Sequence, residues 1–170
     1  MDFTAFVRDV SDFPKRGITF KDITPLLNNP KALIAAGDAL YELVNGQHID
    51  KVVGVDSRGF IFAPMLASKL HAGFVPVRKN GKLPYKTIAE SYTLEYGEDS
   101  IEIHTDAIIA GEKVLVHDDV LATGGTAEAV CRLVEKSGGI VVQCNFLIQL
   151  GFLNGVDKLN GYDIKSLIKY

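Results

Sequence analysis

Four short runs in this chain are apolar along almost their whole length: KVVGV at 51–55, GFVPV at 73–77, KVLVH at 113–117 and IVVQCNFLI at 140–148. A strand with one wet face alternates apolar and polar residues, so a strand apolar throughout needs cover on both faces. Segments of helical period separate the first two runs and the last two. That alternation predicts an α/β fold with a mostly parallel central sheet flanked by helices. With 170 residues and 47% hydrophobic content, the chain can close one sizeable core, and a single domain is expected.

The helices have readable ends. Asn29 suits an N-cap and Pro30 the first helical position; Leu33, Ile34, Leu40, Tyr41 and Val44 form the apolar stripe, and Gly46 closes it. RGFIFAPMLASKL resumes the helical period, with Pro64 as its weak point. A third helix is expected from Gly125 to Ser137, stopped by Gly138 and Gly139. YTLEYGEDSIEIH reads as an antiparallel hairpin, with Leu94 and Tyr96 answering Ile101 and Ile103 across a Gly-Glu-Asp-Ser turn.

Ligands of open α/β sheets gather at the carboxyl ends of strands. Three polar clusters fall there: Asp56-Ser57-Arg58, Arg78-Lys79 and Asp118-Asp119. After the last comes a small turn, Ala122-Thr123-Gly124-Gly125-Thr126, whose backbone N–H groups can curl around a phosphate at a helix N-terminus. Two carboxylates would repel that phosphate. They suit neutral hydroxyls a few ångströms away, as a ribose offers, so a ribose 5-phosphate satisfies both halves. The plainer reading is a helix entry with Asp or Thr as cap and no ligand. GKT, GKS and GxGxxG are absent, which removes the P-loop and dinucleotide readings.

Other classes are disfavoured. A net charge of −3 and a pI near 5.8 leave no basic field for nucleic acid. No apolar run approaches the ~20 residues of a membrane span. Cys131 and Cys144 form no CxxC, and the N-terminus shows no secretory apolar region, so reduced thiols in a cytoplasmic, soluble protein are expected. His48, His71, His104 and His117 lack metal-ligand spacing. His117, inside an apolar strand, reads as a hydrogen-bonded structural residue.

The string DDVLATGGTA closely resembles the signature of the type I phosphoribosyltransferase family. DFPKRGITFKDITPLL, VGVDSRGFIFAP, GFVPVRKNGKLP, YTLEYG and EIHTDAI are similar, in order and spacing, to its adenine-using branch over nearly the whole chain. The resemblance implies transfer of the 5-phosphoribosyl group from phosphoribosyl pyrophosphate to adenine N9, giving AMP and pyrophosphate in purine salvage. It gives the ribose hydroxyls to Asp118 and Asp119, and the 5-phosphate to Ala122, Thr123, Gly124, Gly125 and Thr126. Asp56, Ser57, Arg58, Arg78, Lys79 and Lys82 fall to the pyrophosphate, the Asp56-Ser57 peptide through backbone groups turned by a cis bond. Residues 1–27 become a hood, with Phe20 stacked on the purine and the backbone of Thr19 and Lys21 at its edge. For Phe13 and Phe20, hydrophobic core is the plainer reading. Residues 79–105 become a flap, where Glu95 manages a proton or orients the base and Tyr96 stands beside it. Mg²⁺ enters through substrate oxygens with no direct protein ligand, and a homodimer is implied. Arg16, Lys21, Tyr85 and His117 depart from the family pattern. Another purine base such as xanthine, or a non-catalytic sensor of phosphoribosyl pyrophosphate, remains open at this point.

Overall fold

The computed structural model describes residues 1–93 and 98–170. They form two compact units, Met1–Ala39 and Leu40–Tyr170. In the first, strands β1 (Arg8–Ser11) and β2 (Thr19–Asp22) pair antiparallel, with Val10 opposite Phe20. The connection between them carries a cis Phe13–Pro14 peptide. The short helix α1 (Thr24–Asn28) follows, and Asp22 ties its start by accepting the Thr24 N–H at 2.9 Å. Helix α2 (Pro30–Glu42) begins where the sequence places it. Asn29 Oδ1 accepts the N–H groups of Lys31 and Ala32 at 3.1 and 3.0 Å, which satisfies donors the helix leaves open.

The second unit is built on seven strands: β3 (Lys51–Val55), β4 (Gly73–Lys79), β5 (Thr87–Thr93), β6 (Glu98–His104), β7 (Lys113–Leu121), β8 (Ile140–Gln149) and β9 (Ile164–Lys169). Their order is β5-β6-β4-β3-β7-β8-β9. The pairs from β4 through β3, β7 and β8 to β9 are parallel, while β6 runs antiparallel to both β4 and β5. Helices α3 (Gly59–Leu70) and α4 (Gly125–Lys136) cover the sheet. Val114 and Val116 share a buried core with Val130, Leu133 and Val134 of α4. His117, which strand alternation sends to the opposite face, instead meets Phe62 of α3 edge-on at 6.2 Å between ring centroids. Both faces are therefore covered, as wholly apolar strands require.

Two sequence expectations change. Pro64 does not break α3; it sits exposed within the helix, which runs on to Leu70. The hairpin has a different register: Ile101 faces Glu90 and Ile103 faces Ile88, while Thr93 faces Glu98. Glu98, Asp99 and Ser100 thus belong to β6 rather than to a turn, and Leu94 and Tyr96 lie outside the described residues. β5 was hidden because a charged residue, Glu90, sits mid-strand, where Arg132 and Lys136 of α4 pair with it.

Candidate active site

β7 continues past the expected end of its apolar run, because β8 accompanies it as far as Gln149. Asp118 and Asp119 are therefore inside the ladder rather than after it, with Asp118 opposite Phe146. The turn after Leu121 then delivers the chain into α4 at Gly125. A cavity of about 70 Å³, room for one small anion, is lined by Asp118, Ala122, Thr123, Gly124 and Thr126 among others. Gly124 adopts φ 80°, and a Cβ there would run into the carbonyl of Gly155. Gly155 in turn lies so close to the Ala122 carbonyl that it too must be glycine. The loop is thus wedged from behind by Gly155, far downstream in the chain, which no local motif reveals. Gly125 is buried at the first position of α4 and fixes the helix entry.

Asp118 Oδ1 accepts the backbone N–H of Asp119 at 2.9 Å. Arg58 Nε stands 2.9 Å from Asp119 Oδ2, although that oxygen receives no well-aligned hydrogen bond from the described residues. We therefore read the contact as a charge pair rather than a directed bond. Burial pushes the Asp118 carboxyl well above the ordinary range, and the neighbouring Asp119 charge adds to it. Burial also raises Asp119, against the pull of Arg58. The pair resists carrying two full charges and favours a ligand that brings hydroxyl donors or a cation.

A second cavity, of about 290 Å³, shares Asp118 and Thr126 with the first. Asp56, Ser57, Arg58, Lys79, Tyr92 and Asp119 also line it. The Asp56–Ser57 peptide is cis, as the sequence resemblance implied. Arg78 and Lys82 do not line this cavity; they converge on Asp56 Oδ2 at 3.0 and 3.6 Å. Burial raises the Asp56 carboxyl, but the Arg78 hydrogen bond and the Lys82 and Arg78 charges outweigh it and leave it below the usual range. Lys79 reaches Asp99 at 2.8 Å, and that hydrogen bond and charge hold its ammonium above the usual lysine range. The basic cluster read from sequence is thus already paired with carboxylates of its own chain. Asp99 and Tyr92 were missed because their place depends on the β5–β6 register.

In the first unit, Thr19, Phe20 and Lys21 are consecutive residues of β2. Phe13 is 51% exposed and meets the half-buried Phe20 edge-on at 5.2 Å, so the core reading of these rings does not hold. Lys21 Nζ is held by Asp9 at 2.7 Å. Glu95 and Tyr96 lie outside the described residues. Among the described residues, no group of three or more His, Cys, Asp or Glu is arranged to hold a metal, and no helix is long and apolar enough to cross a membrane. Both cysteines are buried free thiols, with their sulfurs 3.5 Å apart.

With this geometry in hand, comparison with known proteins gives a consistent result. The phosphoribosyl transferase domain profile matches residues 22–161. An adenine phosphoribosyltransferase of Christiangramia forsetii is 62% identical over 170 residues, covering 100% of this chain and 99% of that protein. The crystal structure of adenine phosphoribosyltransferase from Rhodothermus marinus superposes with a TM-score of 0.94 at 56% identity, covering 99% of this chain and 96% of that one. The Saccharomyces cerevisiae enzyme, complexed with an imino-altritol bisphosphate and adenine, superposes with a TM-score of 0.91 at 41% identity, covering 96% and 94% of the two chains.

Proposed function

This chain belongs to the phosphoribosyl transferase family, and from that premise we propose that it transfers the 5-phosphoribosyl group of phosphoribosyl pyrophosphate to N9 of adenine, in purine salvage. One observation carries the reading. Two adjoining cavities share Asp118 and Thr126; one is an anion-sized loop and the other is bordered by Arg58 and Lys79. That order matches 5-phosphate, ribose and pyrophosphate along the substrate. That the yeast relative was crystallised with adenine and an imino-altritol bisphosphate supports the choice of base and of a phosphorylated sugar as ligands.

In this reading the backbone of Ala122 to Thr126 holds the 5-phosphate, and Asp118 and Asp119 accept the ribose hydroxyls. Arg58 and Lys79 meet the pyrophosphate, and Arg78 and Lys82 reach it by leaving Asp56, whose peptide with Ser57 supplies further backbone groups. Thr19, Phe20 and Lys21 of the hood receive adenine. Glu95, with Tyr96 beside it in the flap, takes or relocates the imidazole proton as N9 attacks C1. Departure of pyrophosphate builds positive character on the sugar, so rate comes chiefly from aligned reactants and placed charge. The carboxylate pair fits a hard cation that is bound mostly by substrate oxygens. Mg²⁺ there would neutralise the pyrophosphate as it leaves. A homodimer and a cytoplasmic location complete the proposal, and two free buried thiols suit a reducing compartment.

The test is direct. Purified protein receives Mg²⁺, phosphoribosyl pyrophosphate and, separately, adenine, hypoxanthine, guanine, xanthine or uracil, and nucleotide and pyrophosphate are measured with and without chelator. AMP from adenine alone, lost on chelation, is expected. Turnover of another base would overturn the adenine assignment. Binding of phosphoribosyl pyrophosphate without turnover of any base would make the protein a sensor.

A further inference from the structure

β4 ends on Arg78 and Lys79 and the turn that follows it carries Lys82, so the backbone here decides where three cations point. That backbone is held by an uncommon partner. Glu102, on β6 directly opposite Arg78, is 2% exposed. Its Oε1 accepts two backbone N–H groups, from Lys82 and from Leu83, each at 3.1 Å. Other bonds fasten the same turn: Lys82 N–H to the Lys79 carbonyl at 3.2 Å, Asn80 N–H to the Ser100 carbonyl at 3.3 Å, and Arg78 to the Lys82 carbonyl at 3.2 Å.

A carboxylate is costly to bury unless its oxygens are met, and one meeting amide donors makes stronger bonds than a neutral acceptor would. Were the turn merely structural, a serine or an asparagine could cap it without burying an acid. With Glu102 behind it, Lys82 cannot be carried away without leaving the carboxylate unpaired in the interior. The consequence appears in the side chains: Arg78 and Lys82 both converge on Asp56, next to the cis Asp56–Ser57 peptide.

We propose that Glu102 is a positioning residue for the pyrophosphate end of the site: it fixes the backbone of the turn at 79–83 before substrate arrives, so that only the side chains of Arg78 and Lys82 have to swing from Asp56 to the ligand and the turn itself carries no ordering cost on binding. The inference rests on the reading of this turn as part of the pyrophosphate site. It assigns Glu102 no contact with substrate.

The experiment compares wild type, Glu102→Ala, Glu102→Gln, Lys82→Ala and the Glu102→Ala/Lys82→Ala double variant. KM for each substrate and kcat are measured, together with calorimetric binding of inorganic pyrophosphate in the presence of Mg²⁺. Losing the charged acceptor of two amides is expected to weaken pyrophosphate binding and raise KM for phosphoribosyl pyrophosphate by about 10- to 100-fold in Glu102→Ala. KM for adenine should stay within about 3-fold. Glu102→Gln keeps a side-chain carbonyl at the same reach but as a weaker, neutral acceptor, and should fall between wild type and Glu102→Ala. On the Lys82→Ala background the Glu102→Ala step should shrink by at least about 5-fold, since the two act through one turn.

A fall in kcat or melting temperature with unchanged KM for phosphoribosyl pyrophosphate overturns the proposal, as does an undiminished step in the double variant. If Glu102→Ala does not fold, Glu102→Asp withdraws the carboxylate by one methylene, and an unchanged KM there refutes the idea equally well. Pyrophosphate binding that Lys82→Ala leaves intact would remove the site reading itself, and this inference with it. Binding weakened by Lys82→Ala but not by any Glu102 change removes the inference alone.

Discussion

The buried imidazole of His117 makes acid stability a sharp test of how the sheet is assembled. Its Nδ1 stands 2.6 Å from Asn145 Oδ1, Asn145 Nδ2 donates to the Leu40 carbonyl at 3.3 Å, and His117 Nε2 has no hydrogen-bond partner among the described residues. Burial drives its pKa from 6.5 down to about 4, with Asn145 opposing. The folded chain therefore refuses a proton that the unfolded chain accepts between those values. Stability from this residue is complete above pH 6.5, falls as pH drops toward about 4, and levels off below. Integrated over that window at about 1.36 kcal/mol per pH unit, the loss is roughly 3 kcal/mol. Asp118 and Asp119 act with the opposite sign, because their raised pKa values let the folded form bind protons more readily than the unfolded form. A difference measurement isolates the histidine. His117→Gln keeps a donor for Asn145 and does not titrate. In urea unfolding at fixed protein concentration, the wild-type minus variant stability should be flat above pH 7 and move by about 3 kcal/mol in the variant's favour by pH 4. A difference constant with pH to within about 1 kcal/mol would refute the reasoning.

Gly124→Ala should cost about 1–3 kcal/mol of stability, from the positive φ and the collision with Gly155, and should weaken phosphoribosyl pyrophosphate binding more than adenine binding, as titration calorimetry would show. Asp118→Asn/Asp119→Asn should lower AMP formation by at least about 100-fold while the melting temperature holds or rises, because a buried like-charge pair is relieved; retained activity would sink the assignment. Arg132→Ala removes the 2.8 Å partner of Glu90 and should weaken the docking of β5 on α4 by about 1 kcal/mol, read as faster hydrogen exchange at 87–92 with the rest of the sheet unchanged.

Much of the architecture was legible in the chain because its signals are local. Apolar runs declared strands buried on both faces, and Asn29-Pro30 declared a helix start that Asn29 Oδ1 then caps. DDVLATGGTA gathers an acid pair, a phosphate-sized loop and a helix entry into ten residues, so its cavity follows from one turn of backbone. Legibility failed where a residue's place depends on a distant partner. Glu90 reads as a solvent-facing acid until α4 supplies Arg132 and Lys136. β9 shows no apolar run of its own and becomes a strand by pairing with β8.

By itself the sequence determined the mostly parallel sheet, the starts of its longer helices and the glycine-bearing turn after β7, because period, capping and turn chemistry are written within a few residues of where they act. Only the tertiary structure decided that Asp118 and Asp119 sit inside a ladder with raised pKa values, that Gly155 wedges the loop, and that Glu102 sets the cationic turn. Those outcomes come from strand pairing and burial between residues far apart in the chain. Desolvation and close approach have no counterpart in local sequence.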